Sequence, residues 1–162
     1  MKMKINEKGK EFIKSFEGLK YRSYLLPGEK YYTCGYGHTG PDVMPGYTYS
    51  KAQIDIWFDQ DIEKFEAAVN KYASYNWNQS EFNALTSFAY NIGSIDQLTG
   101  YGKRTRAEIA GKWLAYCHDS TGNISAGLLR RRKQELQIFM SETPTEALFE
   151  SSIEVIPNEK SQ

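Results

Sequence analysis

Glu17 stands near the head of the stretch FEGLKYRSYLLPGEKYYTCGYGHTG, residues 16 to 40, directly before a glycine and a run of tyrosines. Breaking a glycosidic bond needs one group that protonates the leaving oxygen and a second that activates water or balances an oxocarbenium-like transition state. Glu17 has the setting of the first. The spacing of Gly9, Ile13 and Phe16, flanked by Phe12, predicts a short helix over residues 6 to 17, capped by Asn6 and ended by Gly18. A carboxylate in the last turn of a helix meets an unfavourable dipole, and an aromatic-rich sheet beyond it adds partial burial. Both favour the protonated acid. Thr33 can hold a water molecule, but a neutral hydroxyl is no strong base. On chemistry alone, the simpler reading of Glu17 is a solvated surface carboxylate.

The elements that must position these residues are legible in outline. Short Tyr- and Thr-rich runs around Pro27-Gly28 predict a hairpin or small sheet over residues 21 to 37, with Tyr31, Thr33 and Gly35 on one face and Tyr32, Cys34 and Tyr36 on the other. Pro41, Pro45 and Gly46 make residues 40 to 49 a loop. Ser50 and Gln53 form a capping pattern before a helix running to residue 72, in which Ile54, Trp57, Phe58, Ile62, Phe65, Ala68 and Val69 share one broad side. That helix has the length of a strut between a sheet lobe and a helical lobe. Asn78 with Glu81 opens a central helix carrying Phe82, Leu85, Phe88 and Ala89. Thr105 with Glu108 precedes the helix AEIAGKWLAYCH, and Ser125 precedes LLRRRKQELQIFM. Beyond Ser141 the pattern predicts one helical turn at residues 146 to 149 and then a loose tail. The class is α+β.

Twenty Lys and Arg against twenty Asp and Glu leave no net charge, which excludes attraction of the whole molecule to nucleic acid or anionic membrane. Charge is uneven locally. Lys103, Arg104, Arg106, Lys112 and Arg130 to Lys133 make the second lobe basic, while Asp55, Asp59, Asp61, Glu63 and Glu66 make the connecting helix acidic. A basic lobe would attract an anionic polymer, and the plainer reading is arginines pairing within the lobe. No recognition motif accompanies the charge, so nucleic acid is not expected as a partner. Cys34 and Cys117 read as reduced thiols, and two histidines and two cysteines so dispersed predict no metal and no cofactor. No segment approaches the roughly 18 apolar residues of a membrane span, so no stable membrane insertion is expected and the chain is expected to be made in the cytoplasm.

The run EGLKYRSYLLPGEKYYTCGYGHTG resembles the catalytic hairpin of the phage-type lysozymes, the muramidase endolysins. SKAQIDIWFDQDIEKFEAAV resembles the helix joining that family's lobes, SEFNALTSFAYNIGS its central helix, and TGNISAGLLRRRKQELQIF its late Gly-Leu-x-x-Arg-Arg segment. These four segments lie in the family's order between residue 6 and about residue 140. The resemblance implies a lysozyme-like fold with a cleft between a small sheet lobe (residues 13 to 49) and a helical lobe (73 to 145), joined by a long helix (50 to 72), with helix 6–17 packed on the helical lobe. Residues 1 to 145 then form one catalytic domain, and 146 to 162 a stub and tail.

The activity implied is cleavage of the β-1,4 bond between N-acetylmuramic acid and N-acetylglucosamine in peptidoglycan. The family's general acid falls on Glu17 and its threonine on Thr33, while Gly35, Gly37 and His38 match the turn that shapes the cleft floor. His38 is expected to pair with a carboxylate of the long helix and so fix the hairpin. The family's second carboxylate has no counterpart: nine residues after Glu17 the chain has Leu26, and one extra residue precedes Thr33. Glu29 is the nearest acid able to substitute, with Asp42 a weaker candidate. Without either, Glu17 alone suits a lytic transglycosylase that closes a 1,6-anhydro ring, and a non-catalytic peptidoglycan-binding protein is the third reading. Tyr24 is a candidate for lining the sugar cleft, and Asn91 either contacts an N-acetyl group or caps its helix. The resemblance further implies a monomer kept in the host cytoplasm until a holin or equivalent releases it to the cell wall.

Overall fold

The computed structural model of the chain describes residues 2–149. Helix α1 (Glu7–Glu17) begins where the Asn6 side chain accepts the Gly9 N–H and ends at Gly18, whose φ of 70° is the left-handed geometry that glycine tolerates. Three antiparallel strands follow in the spatial order β1 (Lys20–Tyr24), β2 (Thr33–Gly35), β3 (His38–Thr39). The expected hairpin thus has a third strand, because the Tyr36-Gly37 turn reverses the chain and pairs Thr33 with Thr39 and Cys34 with His38. The expected loop over 40 to 49 also closes on the sheet. Ser23 N–H donates to Tyr47 O and Tyr49 N–H to Tyr21 O, covering the outer edge of β1. The two faces expected of β2 do not differ in exposure: Thr33, Cys34 and Gly35 are all buried. A central strand with α2 packed against Gly35 has little room for a solvent face.

Helix α2 (Lys51–Asn70), capped by the Ser50 side chain, runs from the sheet to the helical lobe and stops two residues short of its expected end. It buries Ile54, Trp57, Phe58, Ile62 and Val69, with Phe65 and Ala68 packed at the margin of the core. Helix α3 (Gln79–Ile92) opens with the full capping box of Asn78 and Glu81 and is buried at every residue from Glu81 to Ala89. It is the central element of the helical lobe, packed by α1, α2 and the later α5. Helix α4 (Arg106–Lys112) has its own capping box, but the expected continuation through His118 is broken. The chain tightens into a 3₁₀ turn at Trp113–Ala115, which follows Gly111 and places the Trp113 ring wholly inside the core. Helix α5 (Ala126–Ser141) starts at the Ser125 cap and closes the lobe with Phe139. Residues 145–149 are helical, as expected; the tail expected beyond lies outside the described residues.

Part of the basic character of the second lobe is internal, in line with the plainer expectation of pairing within the lobe, while Lys103, Lys112, Arg130 and Lys133 are exposed. Arg106 forks onto Glu81 at 2.8 and 3.1 Å, and Arg104 donates to Gln97 O and Leu98 O. Arg131 and Arg132 are both buried and both donate to Glu135. Glu135, itself fully buried, also accepts from Ser87 Oγ at 2.6 Å and from Trp113 Nε1 at 3.2 Å. One carboxylate therefore pairs with two guanidinium groups, Glu17 supplying the second negative charge, and ties α3, the 3₁₀ turn and α5 together. Removing one partner of a buried ionic cluster leaves uncompensated charge in a poor solvent. Glu135→Gln is accordingly expected to destabilise the fold by roughly 3–5 kcal/mol, read as a lowered urea midpoint with unchanged slope.

Candidate active site

Glu17 closes α1 at the junction of sheet and helices, with about a fifth (19%) of its side chain exposed. Its two oxygens face different surroundings. Oε2 accepts from Arg131 Nη1 at 2.5 Å across 114 residues of sequence. Oε1 has no hydrogen-bond partner among the described residues and lies against Gly37, where a Cβ would come within 3.7 Å of it. Gly37 adopts φ 94°, a backbone conformation that depends on the missing side chain. Arg131 is itself immobilised: its Nε donates to Glu135, its Nη2 donates to Ser87 O at 3.3 Å, and its guanidinium lies over the Phe16 ring. The proton that an acid would deliver must therefore sit on Oε1, the oxygen that no protein group occupies.

The hairpin is fixed beside Glu17 by contacts with the helices. Tyr90 of α3 donates its hydroxyl to Tyr36 O at 2.7 Å. Burial, then the negative charges of Glu17 and Asp61, push that hydroxyl well above the usual tyrosine range, so it remains a protonated donor. Gly35, at φ 69°, lets Ile54 approach where a Cβ would stand 2.8 Å from its Cγ2. His38 stacks on Trp57 with ring centroids 4.5 Å apart and is held between two carboxylates, Nδ1 to Asp61 at 2.8 Å and Nε2 to Asp42 at 2.9 Å. Burial opposes the imidazolium, but the hydrogen bonds and charges of Asp61 and Asp42 outweigh it and raise the His38 pKa above its ordinary value. The pairing of His38 with the long helix is as expected. Asp42, the weaker candidate for a second carboxylate, is engaged there too.

Across the three strands Tyr24, Thr33 and Thr39 stand in register, since Tyr24 pairs with Thr33 and Thr33 with Thr39. The Thr33 and Thr39 hydroxyls are 2.7 Å apart, Thr33 nearly buried and Thr39 exposed. Leu26, 48% exposed, occupies the hairpin tip, where Glu29 N–H donates to Leu26 O. The Glu29 side chain is exposed and makes no hydrogen bond or ion pair among the described residues. Asn91 is exposed as well, and it does not cap α3, because the Gly93 N–H on Ala89 O does. No group of three or more His, Cys, Asp and Glu side chains suited to a metal occurs among the described residues. Two grooves of about 630 and 680 Å³ open on other faces, and neither includes Glu17 or Thr33. The structure thus brings Glu17, Gly35, Gly37 and His38 into one neighbourhood and adds Arg131 and Tyr90, which the sequence reading missed. A lone arginine in a basic run carries no local sign of its partner.

A model of the phage lysozyme family matches residues 14–135. Among curated relatives, the endolysin of Bacillus phage PZA is 38% identical over 147 residues, covering 88% of this chain and 57% of that protein. The endolysin of Lactococcus phage c2 is 37% identical, covering 85% of this chain and 60% of its own length. The chain therefore spans little more than half the length of these relatives. Among solved structures, the endolysin from Escherichia coli O157:H7 phage FAHEc1 superposes with a TM-score of 0.73 at 31% identity, covering 88% of this chain and 98% of that one. The muramidase domain of SpmX from Asticaccaulis excentricus gives 0.71 at 29% identity, covering 87% and 99%.

The His38 clamp carries a pH signature. A histidine whose folded pKa is raised contributes stability that is fully present below the unfolded value of about 6.5 and is lost as pH rises through the folded pKa. The stability difference between the unaltered protein and His38→Gln is therefore expected to be largest in mild acid and to shrink with rising pH. Paired urea titrations across that range measure it, and a difference independent of pH would contradict the clamp.

Proposed function

We propose that this chain, which belongs to the phage lysozyme family, cleaves the β-1,4 bond between N-acetylmuramic acid and N-acetylglucosamine in bacterial peptidoglycan, with Glu17 as general acid. The observation that carries the reading is the asymmetry of that carboxylate. Arg131 holds Oε2 from the protein side, and Oε1, beside Gly37, has no hydrogen-bond partner among the described residues. A rigid, partly exposed acid with one unengaged oxygen can meet a glycosidic oxygen with little reorganisation. Thr33 is the residue we assign to the attacking water, Tyr24 to an apolar sugar face, and Asn91 to an N-acetyl group. Gly35, Gly37 and His38 shape and fix the cleft floor. The cell-wall glycan is the partner, the chain acts as a monomer, and it is held in the host cytoplasm until a holin or equivalent frees it. No helix among the described residues is long and apolar enough to cross a membrane.

A second reading has one observation in its favour: Leu26, nine residues after Glu17, where the resemblance would put the family's other carboxylate, is an exposed apolar side chain. Inverting hydrolysis ordinarily uses two carboxyls roughly 6.5–9.5 Å apart with water between them. Either exposed Glu29 supplies the second, or water is oriented without one, or the sugar's own 6-hydroxyl attacks and closes a 1,6-anhydro ring. The products distinguish hydrolysis from ring closure. Purified peptidoglycan digested in heavy-oxygen water is expected to yield reducing ends carrying the label, with Glu17→Gln slower by about 10²- to 10⁴-fold. Unlabelled anhydro ends would make the protein a transglycosylase resting on Glu17. No glycan products on several wall types would reject the enzymatic reading in favour of a binding protein.

A further inference from the structure

Hydrolysis at this site has an unmet requirement. When water adds to the anomeric carbon and the bond to the leaving oxygen breaks, that oxygen takes the Glu17 proton and the added water is left with one proton too many. With Leu26 in place of an acid, the usual acceptor is missing from that position. The acceptor need not be strong. A water bonded to an oxocarbenium-like carbon becomes an oxonium, which is acidic enough to transfer its proton to any hydroxyl with a route to solvent.

We infer that Thr39 is a positioning residue for Thr33, the two hydroxyls forming a short relay that orients the attacking water and passes its proton to bulk solvent. The inference rests on the hydrolytic reading of Glu17 and on four observations. The strand register sets Thr33 directly opposite Thr39, so both side chains project from the same face of the sheet. Their oxygens are 2.7 Å apart, the ordinary length of a hydroxyl–hydroxyl bond. Thr33 is nearly buried and Thr39 is exposed, so the pair leads from a protected position to water. Neither hydroxyl has another hydrogen-bond partner among the described residues, which leaves the outer ends of the pair free.

A hydroxyl carries one proton and two lone pairs. In the productive arrangement the Thr33 hydroxyl donates to Thr39 Oγ1, and the Thr39 hydroxyl donates to bulk water. Both lone pairs of Thr33 are then available to the attacking water, and the bond it donates strengthens those it accepts. As the new carbon–oxygen bond forms, the water gives its surplus proton to Thr33, Thr33 gives its own to Thr39, and Thr39 gives its own to solvent. Both threonines end neutral, Glu17 is left as a carboxylate and the solvent gains one proton, from which Glu17 is later recharged. Glu29 has no part in this sequence.

The test compares Thr39→Val, which keeps the branched shape and removes the hydroxyl, with Thr39→Ser, which keeps the hydroxyl. Thr39→Val is expected to lower kcat for release of labelled reducing ends by about 10- to 100-fold, with KM and melting temperature unchanged, and Thr39→Ser to recover most of the loss. A merely structural threonine pair would not affect the proton inventory. Rates in mixtures of light and heavy water are expected to bow for the unaltered protein, as more than one proton moves, and to straighten for Thr39→Val. Equal kcat for Thr39→Val and the unaltered protein overturns the relay while leaving hydrolysis intact, as does an equal loss in Thr39→Ser and Thr39→Val. Unlabelled anhydro ends from the unaltered protein overturn the hydrolytic reading on which the relay depends.

Discussion

Arg131 is the constraint on which the rest of the site depends, because one guanidinium serves the candidate acid and the core together. A buried cation costs several kcal/mol unless it is paired and its remaining protons are satisfied. Here Glu135, Glu17 and the Ser87 carbonyl share that task. Arg132 lies beside it under the same conditions: burial lowers its pKa, and Glu135 works in the opposite direction. The result is a charged cluster that cannot be disturbed at Glu17 without disturbing α3 and α5. The end of α1 therefore has one position relative to the helical lobe. A catalytic carboxylate gains precision from such anchoring, since its rotamer is set by groups that are themselves locked.

The sheet lobe depends on the helices in turn. Three strands of five, three and two residues carry too little apolar area to be stable alone. They are held from outside by the His38 clamp on Asp61, the stacking of His38 on Trp57, the Tyr90 bond to Tyr36 O and the close packing of Gly35 on Ile54. Each attachment falls near the Tyr36-Gly37 turn rather than at the hairpin tip. The turn is thereby fixed beside Glu17, while Leu26 and Glu29 project into solvent at the far end.

Buried charge is where the sequence reading and the structure part. Glu66 sits in an acidic helix and looks solvated, yet it is buried because its Oε2 accepts the Ile5 N–H at 2.8 Å, fastening the N-terminal segment to α2. Glu81 is legible as a capping residue from its spacing to Asn78, but its second role, taking the Arg106 fork and the Thr143 hydroxyl, is not. Within the run Arg130 to Lys133, the sequence does not say which cations are interior: Arg131 and Arg132 are buried, while Arg130 and Lys133 are exposed. A charge has no periodicity of its own that says whether a partner waits for it, so composition alone places it in water.

The sequence by itself determined what depends on neighbours three or four residues apart. The Asn6, Ser50, Asn78, Thr105 and Ser125 caps all form where side-chain type and apolar spacing put them, and the resemblance of four segments to the phage-type lysozymes implied the lysozyme-like α+β plan. Motif resemblance placed Glu17 and Thr33 in that plan. Only the tertiary structure decided what surrounds them: which oxygen of Glu17 is held, that Asp42 belongs to His38, that a third strand brings Thr39 to Thr33, and that Trp113 breaks its helix to fill the core. Those outcomes turn on contacts between segments distant in sequence, 114 residues in the case of Glu17 and Arg131. Local propensity does not encode such contacts; the cost of leaving buried polar groups unpaired selects them once the chain has closed.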